Sequence, residues 1–376
     1  LKVNFELSPT PIEGAEVKVS AERMRFEKKV DISRVNLTNR DIRRAPAFIE
    51  ADIFRTLQLL PSVSASNDFN AALIVRGGSP DENLVLLDGA EIYNPYHIGG
   101  VFSTFNSDMI SDTEFLAGGF PANYGGRLSS VLGITAREGD SKNGRLQKKF
   151  PLENSNVYYD EDEEYNAYKL LEYIDYSKGK AEISLLSSRL LIEGPFLNGS
   201  WMFSGRRTYF DKFVDLYYAT QDGDSPSNYY FWDSHFKVKT SIGNNNQLMY
   251  SRFSSMDDLF ISLGGDDFPG IDFNWDWGNG TQVATWRFIP SSSYIVNSSI
   301  AKTKYNFNVG FDIDFNVEVD TTSEISSANS DLTLTIDNLV EDVDLNQNIK
   351  YIYNEDLTIE AGWQLKYLSL KYTEWF

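Results

Sequence analysis

Two histidines, His97 and His235, are the entire imidazole complement of this chain of 376 residues, and it contains no cysteine. A His-ligated zinc centre or a Ser/His/Asp triad would have to be assembled around one of them, and no nucleophile-elbow motif accompanies either. Disulfides, thiolate metal sites and a cysteine nucleophile are excluded outright. Asp257 with Asp258 and Asp266 with Asp267 have the residue types of a glycosidase carboxylate pair. Adjacent acids in a strand point to opposite faces, and in a loop they are solvated, so a hydrolase is not expected. Gly77 and Gly78 could cradle a phosphate, but no GxxxxGK[ST] follows them. The acidic run Asp160 to Glu164 lacks the spaced Asp/Gly order of an EF-hand and reads as solvated linker. No cofactor, metal site or catalysis by this chain is expected.

A different chemistry is available in "AEIYNPYHIGG", where Tyr93, Asn94, Tyr96 and His97 cluster around Pro95. Rings with a polar edge and a neutral imidazole suit a ligand of mixed polar and apolar character, so these four are candidate solute contacts. The same residues could equally serve as packing.

The composition narrows the partners. With 54 acidic against 34 basic residues the formal charge is -20, which argues against nucleic acid and anionic headgroups. No apolar run reaches the ~18 to 20 residues of a membrane helix. Aromatic residues are nevertheless abundant, with 21 Tyr, 25 Phe and 7 Trp. Insertion by strands therefore stays open.

From about Lys178 the pattern has period two, so that successive side chains face opposite sides. In Tyr305 to Phe315 the odd positions are all apolar and the even ones polar or small. Phe236, Val238, Thr240 and Ile242 alternate with His235, Lys237, Lys239 and Ser241. Ile359, Ala361, Trp363, Leu365 and Tyr367 alternate with Thr358, Glu360, Gly362 and Gln364. About eight such segments are long enough for the roughly 9 to 11 residues a tilted strand needs to cross a bilayer. Tight turns at 197–200, 243–246, 290–293 and 354–356 alternate with longer polar stretches at 217–229, 257–277 and 315–330. This is the up-and-down pattern of a membrane barrel, with an apolar outer band and Trp201, Trp232, Trp286 and Trp363 as girdle candidates.

The first 140 residues differ, with short strands, Gly and Pro turns and one predicted helix at Asp52 to Leu60, capped by Asp52 and ended by Pro61. They predict a compact α+β domain. Residues 144–177 fit neither half and read as an inserted acidic linker.

Order and spacing give these halves a family likeness. "LIVRGGSPDENLVLLDGAEIYNP", then "FLAGGFPANYGGRLSSVLGITAREG", then amphipathic strands resemble the plug and early barrel of a TonB-dependent outer-membrane receptor of Bacteroidota type. Arg76, Gly77 and Gly78 match the plug's "RGG". Leu87 to Gly89, with Asp88, match its "LDG" turn, and Tyr124, Gly125, Gly126 and Arg127 match its "YGGR". Glu16, Val17, Lys18, Val19, Ser20 and Ala21 resemble a TonB box. Residues 1–14 resemble the end of an N-terminal β-sandwich extension.

The resemblance implies an α+β plug domain over 15–143, including the box, followed by an antiparallel transmembrane β-barrel from 178 to 376. Such receptors close about 22 strands, so about eight imply a fragment. The glycine motifs are structural on this view, stiffening a plug whose hairpins reach both mouths of the barrel. Tyr93, Asn94, Tyr96 and His97 would lie under the outside mouth. The implied function is energy-coupled import of a scarce solute such as an iron chelate, cobalamin, glycan or peptide. The implied partners are a TonB-type protein, the solute, outer-membrane lipid and a surface lipoprotein. The implied location is the outer membrane of a Gram-negative bacterium. The alternative is a non-transporting adhesin or the membrane-anchored half of a surface nutrient-capture complex.

Overall fold

A computed structural model describes residues 34–140 and 177–375, apart from 48, 66, 68–69, 221–225, 266–267, 322–323 and 355–356, with backbone alone at 265, 268–269 and 315–331. The TonB-box candidate at 16–21, the segment 1–14, the insert through residue 176 and the pair Asp266 and Asp267 lie outside the described residues.

The N-terminal domain begins with β1 (Arg34–Thr38), α1 (Asn39–Arg44) and α2 (Ile53–Leu57). As expected, Asp52 caps α2, its Oδ1 accepting from Phe54 N at 2.8 Å and Arg55 N at 3.2 Å. Its Oδ2 accepts from Ser103 N at 2.7 Å, so one side chain both starts the helix and ties it to a later strand. Five residues make a marginal helix alone. It persists because Ile53, Phe54 and Leu57 are fully buried, a gain of roughly 1.5–3 kcal/mol each.

Next come β2 (Val63–Ser64) paired with β3 (Ile74–Val75), β4 (Asn83–Leu87), β5 (Ala90–Glu91), β6 (Tyr96–His97) paired with β7 (Phe102–Ser103), β8 (Ile110–Ala117) and β9 (Ser130–Ala136). The main sheet has the order β1-β8-β9-β4-β5, with β4 parallel to β9 and the other pairs antiparallel. The first two of the three glycine motifs are turns with left-handed backbone. Arg76 and Gly77 have φ of 49° and 82°, and Asp88 and Gly89 have 50° and 93°. Asp-Gly at the two central positions suits a hairpin turn that matches strand twist, and it frees the Asp88 carboxylate to point elsewhere.

The second half is one nine-stranded antiparallel sheet, in chain order: β10 (Lys178–Ile183), β11 (Ser187–Phe196), β12 (Gly199–Thr208), β13 (Ser227–Ile242), β14 (Asn246–Gly265), β15 (Phe268–Ser291), β16 (Tyr294–Thr321), β17 (Glu324–Ile352) and β18 (Thr358–Trp375). A helix, α3 (Phe210–Ala219), joins β12 to β13. The four predicted tight turns lie between strands at one end of this sheet.

The predicted long polar loops at 257–277 and 315–330 are instead continuations of strands. Asp257 to Leu263 pairs with Ile271 to Trp277, and Phe315 to Thr321 pairs with Glu324 to Ser330. In the first of these Asp258, Asp272 and Asp276 share one face of the hairpin while Asp257 lies on the other, and an acid-rich face is hard to tell from a loop by composition alone. β16 has 28 residues, far more than a bilayer crossing needs.

Residue faces follow from register. Toward the tight-turn end the apolar side is the outer one, away from the N-terminal domain. Leu248, Trp286, Ser298, Gln347 and Trp363 form one such cross-strand row. Trp286 Nε1 donates to Asn246 Oδ1 and Trp363 Nε1 to Gln347 Oε1, each at 2.9 Å. This band ends at the outward row Arg252, Gln282, Lys302. Beyond it the pattern inverts. The outward row becomes Asp258, Asp276, Asn308, Asp337, and the apolar residues, including the odd positions of Tyr305 to Ile313, face inward.

Candidate functional site

The N-terminal domain is wrapped by the sheet, and the contacts between them form three levels. Nearest the tight turns, Arg137 Nη2 donates to both carboxylate oxygens of Glu193 at 2.8 Å. Lys239 Nζ meets Glu138 Oε2 at 2.7 Å, and Lys180 Nζ meets Asp108 Oδ1 at 3.1 Å.

At mid-height the Asp88 carboxylate reaches the wall. Its Oδ1 accepts from Lys237 Nζ at 2.7 Å and from Ala136 N at 3.1 Å, and its Oδ2 accepts from Ser251 Oγ at 2.7 Å. His235 Nε2 lies 3.4 Å from the same oxygen. Burial alone would push this carboxyl upward, yet His235 and Lys237 outweigh it and hold it well below the usual carboxylate range. The "LDG" turn therefore serves a second purpose beyond shape, because the wall residues need the anion. Close by, Arg206 is buried and bridges the wall's Asp233 (Nε to Oδ2, 2.5 Å) to the plug-side Ser103 carbonyl (Nη2, 2.8 Å), with Glu50 at 3.5 Å.

The upper level contains the four predicted solute contacts. His97 Nδ1 lies 2.6 Å from Asp257 Oδ2, its ring stacks on Phe231 at 4.0 Å, and it has no exposed surface. Asp257 Oδ1 also accepts from Ile98 N at 3.2 Å and from the Tyr229 hydroxyl. Burial works against the imidazolium, but Asp257 and Asp233 prevail and raise His97 above its ordinary range. Two carboxylates therefore enclose the imidazole, Asp257 at 2.6 Å and Asp233 at 3.8 Å, and favour its protonated form over the neutral one expected from sequence.

Tyr93 Oη donates to Asp342 Oδ2 at 2.5 Å, and burial with that carboxylate pushes the phenol far up. Asn94 exchanges bonds with Asn279 (Asn279 Nδ2 to Asn94 O, 2.6 Å) and donates to Tyr305 Oη at 3.3 Å. Tyr96 Oη accepts from Leu73 N at 3.3 Å, and its carbonyl accepts from Trp277 Nε1 at 3.4 Å; burial pushes the phenol up to about 12. All four residues thus join the loop to the wall or to the domain's own core. Of the matched motifs, Arg127 Nη2 pairs with Glu91 at 2.6 Å, and Lys366 of β18 also reaches Glu91.

Sequence reasoning missed the wall's share: Asp233, Lys237, Asp257, Asn279 and Asp342. The detectable signal was charge on one face of long amphipathic strands, with His235, Lys237 and Lys239 in alternation. Asp257 faces in and Asp258 out, so that pair cannot act as a catalytic couple.

A folded domain held inside a curved antiparallel wall by polar contacts is the construction of a plugged outer-membrane receptor. Residues 27–131 match the family model described as "TonB-dependent Receptor Plug Domain". The chain is similar in fold to the ferric yersiniabactin uptake receptor FyuA from Yersinia pestis, with a TM-score of 0.52 and 8% identity over 92% of this chain and 60% of that one. It also matches the siderophore receptor PirA from Pseudomonas aeruginosa, with a TM-score of 0.48 and 12% identity over 92% and 58% of the two chains. Residues 27–131 are thus a plug domain of the TonB-dependent receptor type, and the strands behind the plug share the fold of part of the FyuA structure. It spans about 60% of the length of these matched structures.

Proposed function

We propose that the protein imports a scarce solute across an outer membrane, with a TonB-type partner drawing on the plug. The observation that supports this best is the chemistry of the plug–wall contact. The plug's apolar core, centred on Phe54, Phe105, Phe115 and Leu132, reaches the wall through Leu191, Met202 and Phe253, with smaller apolar contacts at Ala90 and Phe102, and around these patches the grip on the wall runs through side-chain hydrogen bonds and ion pairs. Such contacts can be exchanged for water when the plug shifts, at far lower cost than separating a continuous apolar core. A permanent stopper would gain more from apolar packing.

In this account Glu16–Ala21 is the pulled segment, gripped by strand addition through backbone bonds. The outward apolar band faces lipid. The test is uptake of a ferric chelate, cobalamin, an oligosaccharide and an oligopeptide by cells carrying the full-length gene. At least one should enter, and entry should stop in Val17→Pro, where a backbone donor is lost, and in cells lacking the coupling protein. Uptake that is indifferent to both changes would refute import of this kind.

A further inference from the structure

The inversion of the apolar pattern has a consequence for what the receptor accepts. Beyond the outward row Arg252, Gln282, Lys302, one cross-strand row facing the interior reads Leu259, Trp275, Val309, Ile336. The row above it places Phe273 opposite Phe311, their rings 4.9 Å apart. Trp275 lies 4.7 Å from Trp277 and meets Phe307 edge-on at 5.7 Å. The side of the wall is fixed by the plug. Trp277 donates to the Tyr96 carbonyl, and Asn279 and Tyr305 on the same face bond Asn94. The aromatic face thus continues upward from the plug contact, at the level where the plug stops.

Lipid does not cover these side chains, because the opposite face at the same level carries Asp258, Asp276, Asn308 and Asp337 and therefore faces water. Leu263 and Leu332, at the upper end of the inner face, are 61% and 50% exposed. A contiguous apolar face of this extent marks a binding surface. Its charge is equally informative. Among the described residues, no Lys or Arg lies on the inner rows from Leu259 to Ile336 or above them. The nearby cations Arg252, Lys302 and Lys304 are on the other face. Anionic ligands are held by guanidinium and ammonium groups, and this wall has none to offer.

We infer that the inner face of β14 to β17 above the plug is the solute-contact surface, and that it takes an uncharged solute with an extended apolar or aromatic face, such as a hydrophobic peptide. An anionic metal chelate does not fit it. The inference rests on the import reading, but its test does not require transport. Full-length receptor in nanodiscs is titrated with N-acetyl-(4-bromo-Phe)-Leu-Phe-amide, whose bromine quenches tryptophan at contact, and separately with a ferric tris-catecholate. The peptide should quench saturably, and the response should disappear in Trp275→Phe/Trp277→Phe, which removes the reporters and excludes quenching of the girdle tryptophans through lipid. Phe273→Ser/Phe311→Ser should weaken binding at least tenfold. Asp258→Asn/Asp276→Asn, on the opposite face, should leave it unchanged and show that the fold tolerates change at this level. Saturable binding of the catecholate with none of the peptide, unaltered affinity in the Phe273→Ser/Phe311→Ser variant, or no quenching by either probe would each overturn the assignment. Binding without energy-dependent uptake would leave this surface standing and remove the import reading instead.

Discussion

His97 of the plug and Asp257 of the wall, 160 positions apart in the chain, meet at 2.6 Å with neither side chain exposed to solvent beyond 1%. A buried pair of this kind says little about net stability, because both ions were taken from water, but breaking it on one side is costly. His97→Ala should therefore weaken plug retention by about 3 kcal/mol. Hydrogen exchange of the 93–101 loop in the full-length receptor would show it as faster opening, and unchanged exchange would mean that the pair contributes nothing.

The same pair gives a pH dependence with a definite sign. His97 is raised in the folded state, so its contribution is complete below about pH 6.5, the unfolded value, and is lost as pH rises through the elevated folded value. Exchange in the loop should accelerate on the alkaline side in the wild type. In Asp257→Asn the acceleration should begin at lower pH, because the main charge sustaining the imidazolium is gone.

Asp88 behaves in the opposite sense. Its depressed value means that its contribution is complete above about pH 4 and is lost as pH falls through the folded value. Asp88→Asn keeps a residue that tolerates the left-handed turn while leaving Lys237 buried without its anion. A loss of about 3 kcal/mol is expected in urea unfolding of the full-length receptor. A loss under about 0.5 kcal/mol would show that the turn alone matters.

Gly78 is required by space. A Cβ there would lie 2.5 Å from Ser129 Oγ and 2.6 Å from Glu82 Oε2. The hydroxyl cannot turn away freely, because it donates to the Val75 carbonyl at 2.7 Å. Gly78→Ala should cost about 1–3 kcal/mol in the same unfolding measurement. Gly77→Ala, with open space around it but φ of 82°, should cost about 1 kcal/mol from backbone strain alone.

Much of this architecture was legible in the sequence, and the part that was not has a physical reason. Turn chemistry at Asp88-Gly89, the Asp52 cap and the tight turns are local, and local residues determine them. Alternation showed that two faces differ, but period two carries no sign. Ile300 and Phe311 belong to equally good amphipathic runs of one strand, and one points out while the other points in. Which side is the interior depends on where the plug lies. The surroundings of the solute-contact candidates were hidden in the same way, since the sequence near Tyr93 and His97 does not announce Asp342 and Asp257, which reach them from more than 150 residues later.

The inversion predicts a position-specific response along β16. Ile300→Arg, outward within the apolar band, should destabilise the receptor in lipid vesicles by about 2–4 kcal/mol. Asn308→Arg, on the same face but among the acids, should be tolerated within about 0.5 kcal/mol. Equal effects at the two positions would place both in the same solvent and remove the inversion.

The central claim is that the plug must shift within the wall for a solute to pass. Ala90 of the plug packs in one small cluster with Ala301 and Val283 of the wall, and the chain has no native cysteine to interfere. The direct measurement is uptake by cells carrying full-length Ala90→Cys/Ala301→Cys, using whichever probe of the solute panel enters through the wild type. Oxidation should stop entry and a reductant should restore it, while each single cysteine variant transports normally. Undiminished uptake through the oxidised, cross-linked receptor would contradict the account.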